Sequence, residues 1–112
     1  GYYAWGKQFE SFGATLETLS AAPTAANLKN AGVYIIVDPD TEKETEKPNF
    51  ISPADAKTIA DWVKAGGVLV LLGNDFGNAE FDNWNMLARQ FGIEFNKDSK
   101  LRVQNDQFEQ GR

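Results

Sequence analysis

The chain has no cysteine and no histidine. Lacking cysteine, it has no disulfide, no thiolate metal site and no thiol nucleophile. Lacking histidine, it has neither the usual general base near neutral pH nor the commonest metal ligand, and no Ser-His-Asp triad can form within it. Strong positive charge is also missing. Eleven Lys and Arg stand against sixteen Asp and Glu, a formal charge of −5 with no basic cluster. Nucleic acid and anionic membranes are therefore not expected as partners. No apolar run approaches the ~20 residues that cross a bilayer.

What remains suffices for a core. The 112 residues are 42% hydrophobic and include three Trp and eight Phe, which predicts one folded domain over 1–112. Its core is expected over 1–95, with 96–112 a polar tail or an edge strand. No internal repeat and no low-complexity segment is visible.

The most informative stretch runs from Ser52 to Gly77. Ser52 followed by Pro53, with Asp55 at the third helical position, predicts a capped helix start. Ala56, Ile59, Ala60 and Val63 recur at helical spacing and form one apolar stripe bordered by Trp62. Gly66 supplies a left-handed helix end and Gly67 a tight reversal. The next five residues, Val68 to Leu72, are apolar without alternation, which predicts a strand covered on both faces. Val33 to Val37, released by Gly32, reads the same way.

Around this spine, Tyr2, Trp5, Phe9 and Phe12 fall on one side of a helix ending at Gly13, and aromatics at that spacing are expected to be core. Ala14 to Leu19 reads as a short strand and Thr24 as the cap of a single helical turn. The charged segment from Asp38 to Asn49 reads as a solvated loop. Phe50 or Ile51 is placed to staple the Ser52 cap. Asp82 or Asn83 is expected to cap a last helix whose stripe is Trp84, Leu87, Ala88 and Phe91, ended by Gly92. Ile93 to Phe95 alternates as a brief strand. Strands and helices in this order predict an α/β fold, a three-layer sandwich with a mostly parallel sheet and right-handed crossovers.

Ligands of open α/β sheets bind beyond the carboxyl ends of the strands. Asp38 and Asp40 follow one buried strand; Asn74, Asp75 and Phe76 follow the other. If the strands are neighbours, these residues share a rim, and they are the candidate ligand-binding residues. Three readings stay open. The acids serve turn chemistry; or they bind, as a calcium or magnesium site of Asp38, Asp40 and Asp75 or as acceptors for sugar hydroxyls over Phe76 or Phe81; or two carboxyls about 5–10 Å apart catalyse hydrolysis. Gly73 and Gly77 have the spacing of a nucleophile elbow, but its centre is Asp75 and no histidine can activate it. No catalytic residue and no cofactor is assigned.

The runs VYIIVD (Val33–Asp38), Ser52–Ala65, Gly66–Gly73 and LARQFGIEF (Leu87–Phe95) resemble the glutamine-amidotransferase-like domains of the flavodoxin-like α/β class. More narrowly, the chain resembles the accessory domain beside unsaturated glucuronyl or rhamnogalacturonyl hydrolases of bacterial polysaccharide-degrading proteins. The resemblance implies a class I amidotransferase-like fold whose first strand lies upstream of Tyr2. It implies a non-catalytic domain packing against a glycoside hydrolase domain of the same parent, or contacting saccharide, in the periplasm or outside the cell. The family's elbow cysteine would fall near Asp75 and its histidine is absent, so glutaminase activity does not carry over. A hydrolase in its own right and a structural cation-binding domain are the alternatives.

Overall fold

The computed structural model describes residues 2–74 and 76–98. The order of elements is α1 (Tyr3–Ser11), α2 (Ala25–Leu28), β1 (Val33–Val37), α3 (Pro53–Lys64), β2 (Val68–Leu72) and α4 (Asp82–Ala88), with a 3-10 turn at Arg89–Phe91. β1 and β2 pair in parallel, Val33 opposite Val68 and Val37 opposite Leu72, with α3 as the connection between them. The α/β character expected from the sequence is therefore present, as a two-stranded parallel sheet.

The central helix forms as its sequence dictates. The Ser52 hydroxyl accepts from the Asp55 N–H at 3.1 Å, and the Asp55 carboxylate accepts from the Ser52 N–H at 2.9 Å, a reciprocal cap that satisfies two orphan donors. At the other end Gly66 adopts φ 111°, its N–H donates to the Val63 carbonyl, and the Gly67 N–H donates to the Trp62 carbonyl. This closes the helix in a Schellman turn. Thr24 caps α2 through the same reciprocal arrangement with Asn27.

Among the described residues the buried clusters lie on one side of the sheet. Leu28, Ala56, Ile59 and Leu87 form one buried cluster, against which Tyr34, Ile36, Leu69 and Leu71 pack. Ala79, Phe81 and Trp84 form a second, touched by Ile36, Leu71 and Phe95. Successive side chains of a strand point to opposite faces, so these sheet residues share the inner face. Ile35, Val37, Val70 and Leu72 point the other way and are half-buried, while Val33 and Val68 are 51% and 53% exposed. Among the described residues no buried cluster lies on the outer face, so the expected cover on both faces is seen there only as half-burial of Ile35, Val37, Val70 and Leu72.

Three expectations are corrected. The aromatic stripe of α1 is not core, because no residue of that helix is buried. Ala14–Leu19 forms no strand; only Leu19 reaches the core, and no neighbouring strand is present among the described residues to pair with the rest. Ile93–Phe95 makes no ladder either. The buried Asn85 amide takes the part of a neighbouring strand instead, accepting from the Phe95 N–H at 2.8 Å and donating to the Phe95 carbonyl at 2.9 Å. The tail from residue 99 onward, expected as polar tail or edge strand, lies outside the described residues.

Tyr34 carries a measurable consequence of the one-sided core. Burial pushes its phenol above the usual value of 10.0, and the Asp55 carboxylate adds to the shift. The proton is held more tightly in the folded chain than in the unfolded one. The corresponding stability is thus complete below pH ~10 and is lost as pH rises through the folded pKa. Tyr34→Phe is expected to flatten the alkaline limb of a pH–stability curve above pH ~10 and to leave it unchanged near neutrality. Parallel curves for the two proteins would contradict the assignment.

Candidate functional site

The parallel register brings the ends of β1 and β2 side by side, so the loops that follow them form one rim. The ladder continues one residue past β1: the Asp38 N–H donates to the Leu72 carbonyl at 2.7 Å. Asp38 then adopts φ 44°, the only positive φ outside glycine among the described residues. Asp tolerates this left-handed region because its short side chain can hydrogen-bond locally. Its Oδ1 accepts from the Asn74 N–H at 3.3 Å, across the sheet end. A second tie follows, from the Glu80 N–H to the Pro39 carbonyl at 3.0 Å.

Of the candidate residues, Asp38 and Asn74 are thus brought into contact. Asp40 lies exposed on the following turn, and among the described residues no hydrogen bond joins it to either. Phe76 is on the same rim with 55% of its surface exposed, and its backbone bridges to Ala79. Asp75 lies outside the described residues, so the proposed cation trio of Asp38, Asp40 and Asp75 is not defined by this geometry. Among the described residues no group of three or more Asp, Glu, His or Cys is close enough to hold a metal ion.

The Phe76–Ala79 bridge intervenes before α4, which begins at Asp82, so no helix follows Gly77 directly as it would after a nucleophile elbow; the elbow's centre, Asp75, lies outside the described residues. The cap of α4 also differs from expectation. Neither Asp82 nor Asn83 caps it; the Glu80 carboxylate accepts from both of their N–H groups, at 2.7 and 3.0 Å, where a negative charge suits the helix start.

Sequence reading missed Lys97. Its Nζ lies 5.6 Å from the centroid of the Phe76 ring and donates to Asp82 Oδ1. The contacts link positions 15 and 21 apart in sequence, and no local pattern announces such a pairing. The ion pair is largely solvated and contributes ~0–1 kcal/mol. Its interest is positional: it sets an ammonium beside the exposed aromatic face. The rim therefore offers an open ring flanked by charge, while the Asp38 and Glu80 carboxylates serve the backbone.

Replacing Asp38 tests that engagement. Asp38→Ala is expected to lower stability by about 1–2 kcal/mol, from the left-handed backbone cost and one lost hydrogen bond. Asp38→Asn keeps both an acceptor and tolerance for positive φ, and is expected to lose little. Urea denaturation reads both; equal midpoints for Asp38→Ala and the parent chain would show that Asp38 closes nothing.

A second depression lies at the opposite end of the sheet, between α2 and the end of α3. Lys29, Thr58, Asp61 and Trp62 line it, together with the Gly66–Gly67 turn that precedes β2. It faces the amino ends of the strands, away from the rim where ligands of such sheets gather. No family model, no curated protein and no solved structure matches the chain.

Proposed function

We propose that the chain is a non-catalytic, amidotransferase-like accessory domain. In this reading it packs against the glycoside hydrolase domain of a carbohydrate-active parent protein, with saccharide contact at the Asp38–Phe76 rim as a second task. The observation that supports the reading is the outer face of the sheet, on which no buried cluster packs among the described residues and whose first pair, Val33 and Val68, is more than half exposed. Parallel sheets occur with both faces covered, and two strands alone are marginal in water. A face bearing Val33, Ile35, Val37, Val68, Val70 and Leu72 thus calls for a partner layer. On the same reading the two strands belong to a larger three-layer sandwich of the class I amidotransferase type, with a further strand beside β1.

The test uses the whole product of the reading frame that contains these residues. That product is expected to include a hydrolase domain and to release unsaturated uronyl residues from pectic oligosaccharides, while the 112-residue chain alone releases none. Turnover by the chain alone, or a reading frame without a hydrolase domain, overturns the proposal. For the rim, titration with an unsaturated digalacturonate is expected to move the amide resonances of Asn74 and Phe76. An unaltered spectrum removes saccharide contact from the reading.

A further inference from the structure

The first helix carries an apolar surface that no buried cluster among the described residues takes up. Tyr2, Trp5 and Phe9 are 54%, 39% and 36% exposed, and Phe12, one turn further, is 89% exposed. At 100° per residue all four fall within one narrow stripe. The stripe is already ordered along its length: Trp5 and Phe9 meet edge to face at 4.8 Å between centroids, and Tyr2 meets Trp5 at 6.3 Å. Leu16, 47% exposed, extends the patch, since it lies against the Gly6 side of the helix.

We infer that this stripe is a self-association surface, on which α1 of a second copy of the chain packs antiparallel across a two-fold axis. Area and charge carry the inference. With a side chain of ~200 Å² each, the four rings leave roughly 450 Å² of aromatic surface open. An ordinary interface takes ~800 Å² per partner and is about 60% apolar, which requires nearly that amount. A two-fold contact uses the same patch on both copies, so one self-complementary stripe is sufficient.

Charge favours a second copy as occupant. Within α1 the only charged residues are Lys7 and Glu10, and they pair with each other, leaving the helix neutral in a chain of formal charge −5. A neutral helix adds nothing to the like-charge repulsion between two chains of formal charge −5. The T-shaped packing of the rings within each helix also lowers the entropy lost on docking, because their rotamers are constrained beforehand.

Sedimentation equilibrium of the 112-residue chain from 1 μM to 1 mM reads the outcome. The expected result is a rise in apparent mass from 12.4 kDa toward twice that value with concentration. Trp5→Glu and Phe9→Glu, made separately, are expected to raise the concentration of half-dimerisation by at least tenfold. Neither residue belongs to a buried cluster, so both variants should retain the parent's circular dichroism and cooperative unfolding. A chain that stays at 12.4 kDa throughout, whether because α1 folds back onto its own sheet or because it awaits another protein, overturns the inference. So does a dimer that both variants leave intact.

Discussion

Trp84→Ala is expected to destabilise the chain by about 3–5 kcal/mol, a large share of the ~5–15 kcal/mol that is the usual total stability of a domain. Trp84 has no exposed surface and anchors the second buried cluster, where Phe95 meets it edge to face at 5.6 Å and Ala79 and Phe81 pack beside it. Truncation removes the largest fully buried side chain and leaves a cavity beneath the rim loops. The indole N–H has no hydrogen-bond partner among the described residues, so the cost lies in the ring and not in a polar contact. Trp84→Phe is accordingly expected to retain a cooperative transition and most of the stability. Thermal and urea unfolding separate the two; equal losses for Ala and Phe would place the contribution in the N–H.

The second large effect is expected at Gly67. A Cβ built there would stand 2.4 Å from two ring atoms of Trp62 and 2.5 Å from a third, far inside contact distance. The ring cannot yield freely, because it packs into the first cluster and meets Tyr34 edge to face at 6.4 Å. Gly67→Ala is therefore expected to cost up to ~3 kcal/mol through overpacking. Trp62→Leu in the same chain should recover part of that loss, giving a coupling of ~1 kcal/mol or more in a double-mutant cycle. Additive losses would mean that the glycine is needed for the turn alone.

Gly67 also shows where sequence reading reaches its limit. The Ser52–Pro53–Asp55 cap, the Gly66 helix end, the two apolar strands and the Trp84–Leu87–Ala88 stripe were legible because each follows from chemistry within four residues of chain. Gly67 read as a tight turn, and that is correct as far as it goes. Its contact with the Trp62 ring depends on how the reversed chain lies against the helix it has just left. Asn85 was not singled out at all, since a buried amide that pairs with the Phe95 backbone looks in sequence like any polar residue on a helix. The Tyr2–Trp5–Phe9–Phe12 stripe was legible as a face, yet periodicity reports that a face is apolar without saying what covers it.

The candidate site divides along the same line. That Asp38 and Asn74 share a rim followed from placing two strands side by side, and their register makes it so. The positive φ of Asp38 and the approach of Lys97 to Phe76 depend on loop geometry that no spacing encodes.

The central claim is that the outer face of the β1–β2 sheet is a docking surface. Its most direct test is methyl NMR with a soluble paramagnetic probe, on the 112-residue chain and on the whole product of its reading frame. In the chain alone, the methyls of Val33 and Val68 on the outer face should broaden strongly, while those of the buried Leu28, Ile59 and Leu87 on the inner side are protected. In the whole product the outer methyls should be protected as well. Outer methyls as sheltered as the inner ones in the chain alone, or still open to the probe in the whole product, would contradict the account.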